Sequence, residues 1–149
     1  MQRTLLALAA AMLLASATGC STFNREWRQA EKNGPPADDM AGRWEGTWLS
    51  HKSGHTDRLR CLMTKEEGGA YTAFFHAKYR RILSFSYKVQ LAVASTNGVK
   101  QFKGEADLGR LAGGNYAYQG TVQANRFSST YTAKYDHGVF EMTRPAPKP

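Results

Sequence analysis

From Gly42 onward the chain alternates apolar and polar residues with a period of two, and that pattern excludes most folds. The clearest case is the segment in which Leu83, Phe85, Tyr87, Val89, Leu91 and Val93 interleave with Ser84, Ser86, Lys88, Gln90 and Ala92. Successive side chains of a strand point to opposite faces, so this spacing makes a half-buried β-strand rather than the apolar stripe of a helix. Trp44, Gly46, Trp48 and Ser50 alternate in the same way with Arg43, Glu45, Thr47 and Leu49. Tyr71, Ala73, Phe75, Ala77 and Tyr79 do so with Thr72, Phe74, His76, Lys78 and Arg80.

Further strands follow at intervals of about a dozen residues, with no helical pattern between them. Leu59, Cys61 and Met63 mark the inward face of a second strand, and Phe102, Gly104, Ala106 and Leu108 that of a fifth. Tyr116, Tyr118, Gly120 and Val122 mark a sixth, Phe127, Ser129, Tyr131, Ala133 and Tyr135 a seventh, and Phe140 and Met142 an eighth. Turn residues separate them at Glu66-Glu67-Gly68-Gly69, at Asn97-Gly98 and at Asp136-His137-Gly138. A flexible connection is expected from Gly109 to Gly114. The inward phase runs unbroken from Tyr71 to Val93, which as one strand would reach roughly 75 Å at 3.3 Å per residue. A turn with an odd-numbered loop near Arg80-Arg81 keeps the phase and divides the run.

Eight consecutive antiparallel strands favour a meander. Left flat, it would have two exposed edges and one uncovered apolar face, and closing it into a barrel removes both. The expected fold is therefore all-β: a single eight-stranded antiparallel up-and-down (meander) barrel over residues 41–145, with a frayed Pro-rich tail at 146–149. Two packed sheets are the alternative, although short hairpin links argue against Greek-key crossings.

What precedes the barrel reads as an address and a tether. Met1-Gln2-Arg3-Thr4 is a short basic segment, and Leu5 to Ala17 is an apolar run of 13 residues. That run is shorter than the roughly 20 residues needed to span a bilayer but suits a secretory signal peptide over residues 1–19. Residues 20–40 read as a tether. Ser21 and Thr22 can cap a short helix with Phe23 and Trp27 at i, i+4 and with Arg25, Arg28 and Lys32 nearby, and Asn33-Gly34-Pro35-Pro36 ends it. The tether can serve as an interfacial foot on anionic headgroups or as a mostly disordered spacer, and the spacer is the favoured reading.

Ala17-Thr18-Gly19-Cys20 resembles the lipobox of bacterial lipoproteins, although Ala17 stands where that family usually has Leu. The resemblance implies cleavage before Cys20 and attachment of a diacylglycerol to its sulfur. Ser21 rather than Asp after the cysteine implies, in enteric-type bacteria, delivery to the outer membrane. Each buried methylene of such an anchor adds about 0.8 kcal/mol of membrane affinity. Cleavage removes Arg3 and lowers the net charge from +8 to +7. It also leaves Cys61 without an intramolecular disulfide partner, and its place on an apolar strand face marks it as a buried small hydrophobe.

Gly42-Arg43-Trp44 resembles the G-x-W that opens the calycin barrels, the lipocalins and avidins, and Arg144 stands where lipocalins place a basic residue over that tryptophan. The resemblance covers Gly42 to Arg144 and implies that Trp44 and Arg144 close one end of the barrel. The chain lacks the second lipocalin motif, a disulfide pair and a long first loop. A group of small, uncharacterised bacterial β-barrel lipoproteins is the nearer likeness, and nothing in it carries a known activity.

The expected interior is rich in aromatic residues, and all seven tyrosines are placed inward. An eight-stranded barrel either fills with side chains or holds one small ligand. A buried phenol without a partner costs about 1–3 kcal/mol, so hydroxyls near an open mouth suit water or a polar ligand. Trp48, Tyr71, Tyr87, Tyr116, Tyr118 and Tyr131 are the candidate ligand-lining residues. His51, His55 and Asp57 cluster in the first hairpin and would bind zinc only if they converged. Their spacing matches no recognised ligand pattern, so polar turn residues are the expected role, and neither a metal nor a cofactor is expected. No nucleophile elbow or oxyanion-hole sequence accompanies His76, His137 or Asp136, and catalysis is not expected.

The outward face is basic: Arg43, Arg58, Arg60, Lys78, Arg80, Arg81, Lys88, Lys100, Lys103 and Lys134. For a protein of the cell envelope, such a surface suits anionic lipids, lipopolysaccharide phosphates or acidic wall polymers, and nucleic acid is excluded by compartment. Two functions remain open at this level. One is an anchored, non-catalytic binding module for a small apolar or amphipathic ligand. The other is a structural or interaction lipoprotein whose basic face docks to an anionic envelope component or a protein.

Overall fold

The computed structural model describes residues 21–146, so the proposed signal peptide, Cys20 and the last three residues lie outside the described part. Eight antiparallel strands close into a barrel in simple sequence order: β1 Gly42–Ser50, β2 Thr56–Lys65, β3 Tyr71–Tyr79, β4 Leu83–Thr96, β5 Val99–Asp107, β6 Asn115–Gln123, β7 Arg126–Ala133 and β8 His137–Thr143. Residue pairs run around the whole ring, and Trp48 opposite Phe140 joins β1 to β8. The sheet thus has no free edge strand. Among the described residues no helix is long and apolar enough to cross a membrane.

Local chemistry sets the hairpins. Thr96 pairs with Val99, and the two turn residues Asn97 and Gly98 both have positive φ, as a tight turn matched to the strand twist requires. Tyr79 pairs with Leu83, so the β3–β4 loop has the three residues Arg80, Arg81 and Ile82, and the inward phase carries through it. Arg80 and Arg81 occupy the left-handed region with φ of 52° and 63°, a conformation that side chains with a Cβ adopt only under constraint. At the β1–β8 seam, inward Gly46 and Gly138 let the strands bend sharply. A Cβ at either position would collide with the carbonyl of Glu141 or of Leu49.

The connection from 109 to 114 departs from the expected irregular loop, because Arg110–Ala112 form a 3-10 turn. A larger departure lies before the barrel. Residues 21–33 form the short helix (α1) that the tether sequence allows, but it packs on the outside of the barrel wall and is not a disordered spacer. Phe23 and Trp27 are buried against Phe74, with Leu62 beside them. Phe23 lies 5.1 Å from the Phe74 ring and stacks 4.8 Å from His76. Arg60 places its guanidinium about as close to the rings of Phe23 and Trp27, at 5.0 and 5.2 Å, and donates to Asn24 at 2.9 Å. Glu31 pairs with Arg43 at 2.9 Å. Each fully buried aromatic contributes roughly 1.5–3 kcal/mol, enough to hold a helix of this length that would be marginal in isolation.

The helix therefore covers part of the face expected to be basic and exposed. Arg43 and Arg60 are spent on it, and His76, though outward-pointing, is buried. Burial, and then the positive charges of Arg60, Lys78 and Arg58, push the His76 imidazole down to about 4. Its Nδ1 is hydrogen-bonded to the Ser86 hydroxyl at 2.7 Å.

Candidate functional site: the barrel mouth

The two ends of the barrel are built differently. At the end where β1 begins, Met40 and Trp44 are fully buried, and the Trp44 indole donates to the Met40 carbonyl at 2.9 Å. The Arg144 guanidinium lies 4.0 Å above the Trp44 ring and donates to the backbone carbonyls of Ala41, Arg43 and Asp39. Asp38 ties down the same floor. Its carboxylate accepts from the Met40 and Ala41 amides, the Tyr71 hydroxyl and Lys65. Burial works against that charge, but these bonds outweigh it and hold the Asp38 pKa down to about 2. Tyr71 is correspondingly pushed up to about 12, by burial first and then by Asp38. Tyr71 therefore belongs to the closed floor, far from any mouth, and drops out of the ligand-lining set.

At the opposite end the wall is uneven. β4 has 14 residues and β5 only 9, and their pairing starts at Gln90 opposite Glu105. The first half of β4, from Leu83 to Val89, pairs with β3 alone. The β3–β4 hairpin therefore stands above the rim, and its inner face is only half covered. Phe85 is 42% exposed, Tyr79 37% and Leu83 61%, although their phase points inward. Trp48 stacks on Tyr79 at 6.2 Å and packs against His55 at 5.1 Å, with its indole nitrogen donating to the Lys78 carbonyl at 2.9 Å. Tyr87 lies between Phe85 and Phe75, at 5.9 and 5.4 Å. Tyr116 stands across from it and donates to the Ala112 carbonyl at 3.0 Å. Trp48, Tyr87 and Tyr116 are each part-buried against the core.

Below this ring of aromatics the barrel is packed. Phe140 touches Phe75, Tyr118 and Tyr131 at 5.4, 5.9 and 5.2 Å. Tyr131 is buried and donates to Asp136, whose other oxygen accepts from Ser50 at 2.6 Å. Burial, then Asp136, pushes the Tyr131 phenol up. Tyr131 thus braces the wall instead of facing a ligand. Tyr118 differs: its hydroxyl is buried and makes no well-formed hydrogen bond among the described residues, with the Tyr87 phenol as its polar neighbour. It lies beneath Tyr87 and Tyr116, with ring centroids 6.4 and 6.2 Å away. Burial followed by Tyr118 raises the Tyr87 phenol well above its ordinary value, so both phenols are neutral at physiological pH.

Two further expectations change. Tyr135 is 59% exposed in the β7–β8 loop with the Lys134 ammonium over its ring, so neither it nor Tyr79 is an interior tyrosine. His51, His55 and Asp57 do not converge. His51 packs edge-on against His137, whereas His55 and Asp57 hold the β3–β4 turn by accepting from the Arg80 and Arg81 amides at 3.5 and 2.9 Å. The Arg81 amide first, and then that of Arg58, lower the Asp57 pKa. Among the described residues no cluster of three metal-ligating side chains occurs. Cys61 is fully buried and its thiol is pushed up by burial, the state of an inert core residue.

A cavity of about 470 Å³ lies outside the rim between His55, Asp57, Arg80 and Arg81, and a larger one lies at the other end. A groove of about 860 Å³ runs between the end of α1, the 34–39 linker and the barrel floor, where Asp38, Lys65 and Arg144 line it. Sequence reasoning found Trp48, Tyr87 and Tyr116 but missed Phe85 as a mouth residue, because a phase of two shows which face a side chain takes and not whether the neighbouring strand is long enough to cover it. No family model, no curated protein and no solved structure matches the chain.

Proposed function

We propose that the protein is a lipid-anchored, non-catalytic binding module of the bacterial cell envelope that holds a small apolar or amphipathic ligand at the mouth of a calycin-like barrel. The observation that supports this reading is the half-covered aromatic mouth of Trp48, Phe85, Tyr87 and Tyr116, set above the buried hydroxyl of Tyr118. A ligand lying across it would bury apolar area at about 25 cal/mol per Å² and bring a polar group to the phenol. The packed body below makes this a shallow seat for a ring or an acyl segment instead of a deep calyx. Cys20 is the proposed attachment point of the lipid, with the outer membrane facing the periplasm as the proposed location. The proposal involves neither a reaction nor a cofactor.

Titration of the protein with an apolar naphthylamine dye tests the seat. Saturable one-to-one binding is expected, with energy transfer from tryptophan that is reduced in Trp48→Phe, where Trp27 and Trp44 remain as more distant donors, and with affinity weakened in Phe85→Ala. Absence of saturable binding would remove the reading. Intact mass tests the anchor: the protein recovered from membranes should carry acyl mass that Cys20→Ala lacks.

A further inference from the structure

The mouth is also the end at which charge and exposed apolar area coincide. The loops around it, at 51–55, 80–82, 108–114 and 134–136, carry Lys52, Arg80, Arg81, Arg110 and Lys134 against Asp136, already engaged by Ser50 and Tyr131, with Asp57 and Asp107 at the adjoining strand ends engaged by the Arg81 and Gly109 amides. The loops of the opposite end, at 66–70, 97–98 and 124–125, carry Glu66 and Glu67, and the cations at its strand ends, Lys65, Lys100 and Arg126, are paired with Asp38, Asp39 and Glu141. The most prominent mouth loop is the β3–β4 hairpin tip, where Ile82 is 84% and Leu83 61% exposed between the cations Arg80 and Arg81 and the half-exposed ring of Phe85. This tip is held in shape. Its two left-handed arginines keep their backbone amides on His55 and Asp57, so the apolar residues are presented on a fixed turn.

The direction of α1 bears on the same end. Its first turn packs Phe23 on His76, which lies towards the mouth along β3, whereas its far end leads through Pro36 to Gly42 at the floor. Residue 21 is thus on the mouth side of the wall, and the floor closed by Trp44 and Arg144 is on the side away from it.

We propose that the β3–β4 tip inserts Ile82 and Leu83 into an anionic phospholipid surface while the mouth-loop cations meet its headgroups, so that the aromatic mouth faces the bilayer and the Trp44 floor faces away. Cations near an anionic surface are attracted to its headgroups, and Ile and Leu side chains gain from leaving water for the acyl region. The orientation agrees with an anchor at Cys20 and in that respect rests on the function proposed above. The insertion of the tip stands on the hairpin alone. A mouth held against a bilayer would draw its ligand from the lipid phase, which narrows that ligand to an acyl-bearing lipid or a similarly amphipathic molecule.

The full chain, purified from membranes, is placed with vesicles of phosphatidylethanolamine and phosphatidylglycerol carrying bromine on their acyl chains. An environment-sensitive dye is attached through Ile82→Cys at the tip or through Asn97→Cys at the floor, the buried Cys61 remaining unlabelled. The dye at 82 should shift to the blue and be quenched, and the dye at 97 should not respond. On a Cys20→Ala background, Ile82→Asp with Leu83→Asp should lower vesicle partitioning on the order of tenfold or more, and so should omission of phosphatidylglycerol. Both substituted sites are exposed, and an unchanged thermal melt confirms the fold. Quenching at 97, equal quenching at both sites, or partitioning indifferent to the aspartates would overturn the proposal, as would shielding of 82 by an added protein fraction but not by lipid. If intact mass finds no acyl chains on Cys20, the anchor reading fails, and the dyes on the Cys20→Ala background still decide the docking of the tip.

Discussion

Trp44 and Trp48 stand four residues apart on one strand and one face, yet one is sealed in a floor and the other borders an opening. The difference comes from what the neighbouring segments supply. At Trp44 the linker adds Met40 and Asp38, and the chain end adds Arg144, so the indole meets a carbonyl below and a guanidinium above. At Trp48 the cover is only His55 of the first hairpin and Tyr79 of the projecting one, and β5 ends level with the middle of β4. A barrel of uniform strand length would have capped or exposed both ends alike. Here asymmetry of length and of charge separates a structural end from an end suited to contact.

The largest test of that contrast is truncation of each tryptophan. Trp44→Ala should lower unfolding free energy by about 3–5 kcal/mol, the usual cost of an aromatic removed from a filled core. Trp48→Ala, at a part-exposed position, should cost about half as much or less. Urea unfolding followed by circular dichroism measures both, and equal losses would show that the mouth is as well packed as the floor.

A second difference concerns the outer wall and appears with pH. His76 is neutral in the folded protein down to about 4 but takes up a proton near 6.5 when unfolded. Between those values the unfolded state binds more protons, so stability should fall as pH drops from about 6.5 to 4, by roughly 2–3 kcal/mol at the lower end. His76→Phe should flatten that slope. The floor responds lower still: Asp38, depressed to about 2, contributes stability that is present above its unfolded value near 3.8 and is lost as pH falls from there towards 2. Denaturant midpoints taken from pH 7 to 3 in the wild type, His76→Phe and Asp38→Asn separate the two windows.

Much of the barrel was legible because its physical cause is local. Period-two alternation, Asn97-Gly98 and the conserved phase across Arg80–Ile82 each act within a few residues, and the observed register follows them. Docking of α1 was missed although its partners were in view. Leu62 and Phe74 are apolar at outward positions, and Phe23 and Trp27 form an i, i+4 pair with nothing else to cover. Reading the strands and the tether separately hid that match. The turn-holding role of His55 and Asp57 was illegible for another reason, since it depends on two hairpins meeting across the rim. Tyr71, likewise, is misjudged when assigned by its face alone, since its place at the start of β3 puts it at the floor end, where it bonds Asp38.

The smallest expected effect is the most informative about the mouth. Tyr118 keeps a buried hydroxyl with no well-formed hydrogen bond among the described residues, which costs up to about 1–3 kcal/mol unless Tyr87, water or a ligand satisfies it. Tyr118→Phe removes the hydroxyl and keeps the ring against Phe75 and Phe140, so the ligand-free protein should gain up to about 1 kcal/mol of stability. If a polar group of the ligand reaches this hydroxyl, the same substitution should weaken the binding of amphipathic probes while leaving a purely apolar dye unaffected. Calorimetric melts with and without each probe read both effects. A variant that is less stable without ligand would mean that the phenol is already satisfied, and the seat would then offer aromatic surface alone.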